Sequence, residues 1–311
     1  MKPRTPGFVI LILLLFCAAL SAADPGFPLV QSLASFPFDE EALPLERGRV
    51  ASTLTLSAGN VFMFSDDGST ASDLETLEVI LALRLGISRS LCLEIYSRWS
   101  GIHGGWMDGL IENFHDAFGL PDNGRPIFPR DQVDYRLQDR FSLDRAQGVT
   151  GPFTAALTAN LNRDRALSLG GRLGVQVSPA GAPGLLSGRP VLIAGGWLHW
   201  KRGKWMLGLS GHLAFFNPPA WLDDLAIHPR IFLAEAWARL GWFRAGLIHR
   251  TSPYRSGDQA HAGWQILLGV RLMRGVELRF QEDLAPFDST PDVRFSIRLR
   301  LDQLARRRKL G

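Results

Sequence analysis

The stretch TLEVILALRLG, residues 76–86, sets Leu77, Val79, Leu81, Leu83 and Leu85 at every second position, with Thr76, Glu78, Ile80, Ala82 and Arg84 between them. A period of two belongs to a β-strand, whose successive side chains point to opposite faces. What the oily row faces decides the fold.

The pattern recurs on either side of this stretch, in pairs joined by tight turns. After Ser88-Arg89-Ser90 come Leu91, Leu93 and Ile95, alternating with Cys92, Glu94, Tyr96 and Arg98. Phe153, Ala155, Leu157, Ala159 and Leu161 lead through Asn162-Arg163-Asp164 into Leu167, Leu169, Leu173, Val175 and Val177. Leu192, Ala194, Leu198 and Trp200 precede Trp205, Leu207, Leu209, Leu213 and Phe215. The row from Phe232 to Leu240 is followed by a strand predicted from Gly246 to Tyr254, and the row from Trp264 to Leu272 by Val276, Leu278 and Phe280. Val293, Phe295, Ile297, Leu299 and Leu301 form the last row. With a first strand from about Val50 to Phe64, this predicts twelve strands in which short turns alternate with long polar loops, the stringing of an outer-membrane barrel. A thirteenth alternating piece, Val133 to Ser142, is expected to be a hairpin extension above the membrane.

The N-terminus has the pattern of an export signal. Lys2 and Arg4 precede the apolar run Phe8 to Leu20, and Ser21-Ala22-Ala23 follows, which predicts a secretory signal peptide over residues 1–23. Residues 24–47 are then a periplasmic N-terminal segment, 48–301 the barrel and 302–311 a basic tail. No later stretch has the roughly 18 consecutive apolar residues of a spanning helix. Cys92 is the only cysteine beyond the signal, so no internal disulfide is expected. The chain carries 34 Lys and Arg against 30 Asp and Glu, two of the basic residues lying in the signal. This near-neutral balance, with no basic fold signature, argues against nucleic acid.

A soluble sandwich or barrel also alternates. Three features favour the membrane: strand lengths of about 9 to 12 residues that match a tilted crossing, aromatic residues at strand ends such as Trp200, Trp205 and Trp242-Phe243, and export without disulfides. Aromatic girdles belong at membrane interfaces. The opposite row then becomes the lumen wall: Glu78, Arg84, Glu94, Arg98, Arg172, Glu235, Arg239, Arg271, Glu277, Arg279, Arg294, Arg298 and Arg300.

The long loop over residues 101–150 holds GGWMDGLIENFHDAFGLPDNGRPIFPR, residues 104–130. A helix is predicted over 105–118, with Trp106, Met107, Leu110, Ile111, Phe114 and Phe118 in one arc and Asp108, Glu112, His115 and Asp116 in the other. Gly119 and Pro121 end it. Its aromatic face is expected to be buried, either in the barrel mouth as a partial plug or against the outer-leaflet surface.

This segment, with SPY at 252–254, EDLAP at 282–286 and PDVRFSIRLRL at 291–301, resembles the uncharacterised bacterial outer-membrane family known as domain of unknown function 3187. The likeness runs over nearly the whole exported chain. It implies an outer-membrane barrel and brings no activity, ligand or catalytic residue with it. The last strand ends at Leu301 and is followed by DQLARRRKLG, whereas barrels commonly finish on an aromatic residue that the insertion machinery reads; the signal for that partner would then be internal or degenerate. The basic tail is expected to be solvated, with anionic headgroups as its alternative contact.

Candidate chemistry is thin. Glu112 and His115 stand one helical turn apart, the spacing of carboxylate-bridged metal sites, but such sites need a second copy on a facing helix and none is present. Asp108, Glu112 and Asp116 offer an alternative, a divalent cation bridging lipopolysaccharide phosphates. Ser210 with His212 and His249 with Thr251 share a parity that is expected to face the lumen, yet there is no Gly-x-Ser-x-Gly elbow and no third partner. No metal, cofactor or catalytic residue is assigned.

The expectation is therefore an all-β transmembrane antiparallel barrel of about twelve strands in the outer membrane of a Gram-negative bacterium, in contact with outer-membrane lipids and lipopolysaccharide. Its predicted role is a narrow porin-like channel for small anionic solutes, constricted by Arg84, Arg98, Arg239, Arg298 and Arg300 with Glu78, Glu94 and Glu235 and gated or occluded by the loop. The rivals are an enzyme acting on envelope lipids and a structural or surface-interaction barrel with a filled lumen.

Overall fold

The computed structural model describes residues 45–64, 70–119, 129–137, 141–163, 166–177, 190–215, 228–251, 263–283 and 293–303. The expected signal peptide and most of the basic tail lie outside these residues, as do the SPY motif and most of EDLAP.

Fourteen strands and one helix are described, in the order β1 (Val50–Phe64), β2 (Thr70–Gly86), β3 (Leu91–His103), α1 (Met107–Phe118), β4 (Asp134–Leu137), β5 (Phe141–Leu143), β6 (Gln147–Arg163), β7 (Leu167–Val177), β8 (Pro190–Arg202), β9 (Trp205–Phe215), β10 (Arg230–Leu240), β11 (Phe243–Arg250), β12 (Gly263–Met273), β13 (Val276–Asp283) and β14 (Val293–Arg300). Every pairing is antiparallel, and β1 bonds to both β2 and β14, which closes the sheet into a barrel. β4 and β5 are not part of the wall: β4 pairs with the upper end of β2, Thr70–Asp73, and β5 only with β4. The wall thus holds twelve of the described strands, and the segment expected as an extension hairpin is one.

The register follows the apolar alternation. Leu56 lies between Val79 and Ile297, and Ser57 between Glu78 and Ser296, so one face of each ladder is oily and the other polar. The oily face is outside: Leu173 is 65% and Leu209 54% exposed, whereas Glu94 and Arg172 on the opposite parity are buried. A soluble barrel would reverse this. An exposed leucine belt around a closed sheet has only lipid to face, so the molecule is a transmembrane barrel of the outer-membrane type. Aromatic residues gather at both rims, with Trp200, Trp205, Trp242 and Phe243 beside the short turns and Trp99, Phe215, Phe232 and Trp264 at the long-loop end. A slip of one residue would turn the arginines into hydrocarbon, at about 2–4 kcal/mol each near the midplane.

Candidate functional site

The lumen is built by the even residues of β2, β3, β6, β7, β9, β11 and β14 and the odd residues of β1, β8, β10, β12 and β13, as the cross-strand pairs require. All thirteen lumen-wall charges named from the sequence, Arg271 included, fall on this face. Arg244 and Arg250 join them. Arg244 is 1% exposed; the strand predicted from Gly246 leaves it in the preceding turn. The register shows the error: Arg244 stands opposite Arg239 on β10.

Three charge clusters result. Glu94 accepts bonds from Arg84 Nε at 3.0 Å, Arg172 Nε at 2.9 Å and the Tyr96 hydroxyl at 2.8 Å. Glu78 is bound by Arg98 and lies 3.7 Å from Arg294, and Arg250 acts electrostatically on the same carboxylate. At the short-turn end Glu277 accepts from Arg279 Nε at 3.2 Å and feels Arg298, Arg244 and Arg239 as well. Arg271, Glu277, Arg298 and Arg300 line a shallow recess at that rim, with Gly275, Val276 and Gln303. Glu235 is bound by Arg244. Among the described lumen residues eleven arginines face four glutamates, so the wall carries a large positive excess.

Between the clusters the inward side chains pack closely on one another. Tyr96, Trp197, His199, Ser210, His212 and Trp237 are each no more than 6% exposed. A Cβ at Gly170 would collide with the Trp197 ring, and one at Gly208 with the Trp237 ring, so these glycines make room for the two indoles. Arg172 stacks 5.5 Å from the Trp197 centroid and Arg244 4.5 Å from that of Trp237, a cation–π arrangement that partly offsets guanidinium desolvation.

Ser210 and His212 face this packed interior, as expected. His249 does not: it pairs with Ala234 and Trp264 on the outer face, with its ring 4.4 Å from the Trp264 ring. The reason is that small residues at 245 and 246 dilute the alternation of β11, and Leu247 rather than Ile248 is its lipid-facing residue. The two Ser/Thr–His pairs therefore lie on opposite sides of the wall.

Of the two positions expected for the loop helix, the barrel mouth and the outer surface, α1 takes the second: it lies on the outer wall, across the β1–β14 closure. Met107 and Ile111 are packed with Val293 against Ala58 and Phe280, all three of which are on the outward parity. Phe114 stacks on Phe280 at 5.7 Å, and His115 Nε2 lies 3.5 Å from Glu282. Asp108 accepts from Asn60 Nδ2 at 3.1 Å and from the Asp131 amide at 2.9 Å. No side chain of its own caps the helix; instead the Glu75 carboxylate, from β2, accepts the Met107 amide. That approach requires Gly105, whose φ is 72° and whose Cβ would strike the same carboxylate. Not all of the apolar arc packs on protein: Trp106 and Leu110 are 63% and 44% exposed to the surroundings of the barrel, while the Phe118 side chain lies outside the described residues.

This placement separates the candidate metal ligands. Glu112 pairs with Arg130, His115 turns to Glu282, Asp108 is buried against β1, and Asp116 is exposed. Neither the Glu112–His115 pair nor the three carboxylates converge on a common point.

A family model described as "Protein of unknown function (DUF3187)" matches residues 25–181, just over half of the chain. No match to a curated protein was found. Among solved structures, the COG4313 outer membrane channel from Pseudomonas putida is similar at 13% identity and a TM-score of 0.49, over 89% of this chain and 98% of that one. The CymD monoaromatic hydrocarbon channel is similar at 9% identity and a TM-score of 0.37, over 90% and 98%. Both likenesses are too distant to carry a solute or mechanism across. The family match spans the first seven strands of the structure and the loop helix, and by it the chain belongs to the DUF3187 family of proteins of unknown function.

Proposed function

We propose that this barrel sits in the outer membrane and provides a narrow path for small anions, with the short-turn rim in the periplasm. The observation that carries the reading is the Glu277 cluster, in which one carboxylate is surrounded by Arg239, Arg244, Arg271, Arg279, Arg298 and Arg300. Guanidinium groups grouped in a low-dielectric lumen repel each other and attract anions, and the planar fork of arginine suits carboxylates and phosphates. The same excess would keep cations out.

A second reading is favoured by the packing of Trp197 over Gly170 and Trp237 over Gly208: the lumen is a core, and the barrel is structural. Planar-bilayer recording separates the two. An anion path gives discrete steps that reverse toward the anion equilibrium potential under a salt gradient, and Arg298→Glu shifts that reversal toward cations. A purified, heat-modifiable barrel that stays silent in wild-type form and with Trp237→Ala favours the filled lumen and sinks the channel.

A further inference from the structure

We propose that α1 is an in-plane membrane element: its inner edge seals polar positions on the barrel's closing seam, and its lower edge, Trp106 and Leu110, lies among the lipid acyl chains of the leaflet at the long-loop rim. The inference rests on the transmembrane fold and is independent of whether the lumen conducts.

The outward rows of the seam strands change character at one level. On β1 the row runs Leu54, Leu56, Ala58, Asn60; on β2, Leu81, Val79, Leu77, Glu75; on β13, Leu278, Phe280, Glu282. Asn60 pairs with both Glu75 and Val293, and Glu282 with Val293, so the polar residues form one patch on the lipid-facing side of the wall. The helix covers it. Asn60, Glu75 and Glu282 are 0%, 1% and 8% exposed, each beneath Asp108, Met107 or His115 of α1.

The helix then presents three edges, spaced by its period of 3.6. Met107, Asp108, Ile111 and His115 face the wall. Glu112 and Asp116 lie on a second edge, with Arg130 holding Glu112. Trp106, Leu110 and Phe114 form the third. Direction is fixed by the wall beneath: Phe114 stacks on Phe280, which is one step nearer the leucine belt than the Glu282 that His115 meets. The apolar third edge therefore points toward the belt, where Leu77 and Phe295 stand exposed beside Ala58 and Phe280, and the acidic edge points away. Exposed apolar surface continuous with a lipid belt, bearing a tryptophan at its margin, fits an interfacial helix. The occupant is lipid.

The test uses the full chain in phospholipid vesicles, with a polarity-sensitive fluorophore on Leu110→Cys and, separately, on Asp116→Cys; Cys92 is buried. Lipids spin-labelled near the headgroup should quench the probe at 110 several-fold more than at 116, and aqueous iodide should do the reverse. Ala117→Cys serves if Leu110→Cys does not insert. Equal iodide access at 110 and 116 would overturn the proposal, as would a probe at 110 reached by neither quencher, which would mean that protein, such as a second copy, covers the edge.

Discussion

At the residue scale the lumen depends on carboxylates shared among several cations. Glu94 is the clearest case, fully buried and shared by Arg84, Arg172 and Tyr96. Removing one partner of a buried ion cluster leaves charges that water cannot reach, at a cost of about 3–5 kcal/mol. Glu94→Gln is therefore expected to lower the stability of the refolded barrel by that order, read as an earlier urea midpoint with an unchanged slope. An unchanged midpoint would mean that water reaches Arg84 and Arg172, and with it that the lumen is open at this level.

At the element scale each strand is specified by which parity meets lipid. Leu209 is central in β9 and exposed outward, while its neighbour Ser210 is buried inward. Leu209→Arg should cost about 2–4 kcal/mol in membrane-embedded stability, against a far smaller cost in a detergent micelle that can rearrange around the charge; equal costs in both media would speak against a hydrocarbon location. This parity was legible in the sequence wherever one row was mostly bulky, as in β2, β7 and β9, and the pairing of neighbours followed from the short turns. It was lost in β11, where Ala245 and Gly246 carry no signal, and with it went Arg244 and the side on which His249 lies. The helix was legible as a helix, but amphipathicity does not say which surface an element meets. The needed signal was present on the strands: Asn60, Glu75 and Glu282 interrupt three neighbouring lipid rows at one height, and a polar patch there demands a cover. Trp197 was missed because it falls within Gly195-Gly196-Trp197, where the glycines that accommodate it also hide the alternation.

At the scale of the whole molecule, closure is what turns a meander into a membrane protein, because an open sheet edge in hydrocarbon leaves backbone groups unbonded. Here closure rests on eight paired positions, from Thr53 with Arg300 to Asn60 with Val293, and among the described residues no disulfide supports it, Cys92 being free. The seam joins elements at opposite ends of the chain, so its loop-closure entropy is the largest in the fold and forms last in any simple order of assembly. α1 adds packing on the outside of this seam, touching β1, β13 and β14 together. The register makes a strict prediction. Ser57 and Ser296 are direct cross-strand partners facing the lumen, and directly opposed residues in an antiparallel pair lie about 4.5–5.5 Å apart at Cα, within the range of a disulfide. Ser57→Cys combined with Ser296→Cys should oxidise in the assembled barrel and give a species that, fully denatured without reductant, migrates faster because a loop of most of the chain is closed. Ser57→Cys combined with Arg294→Cys, displaced by two residues, should not. Cross-linking of the displaced pair in preference to the matched one would overturn the register on which the division into lipid face and lumen face depends.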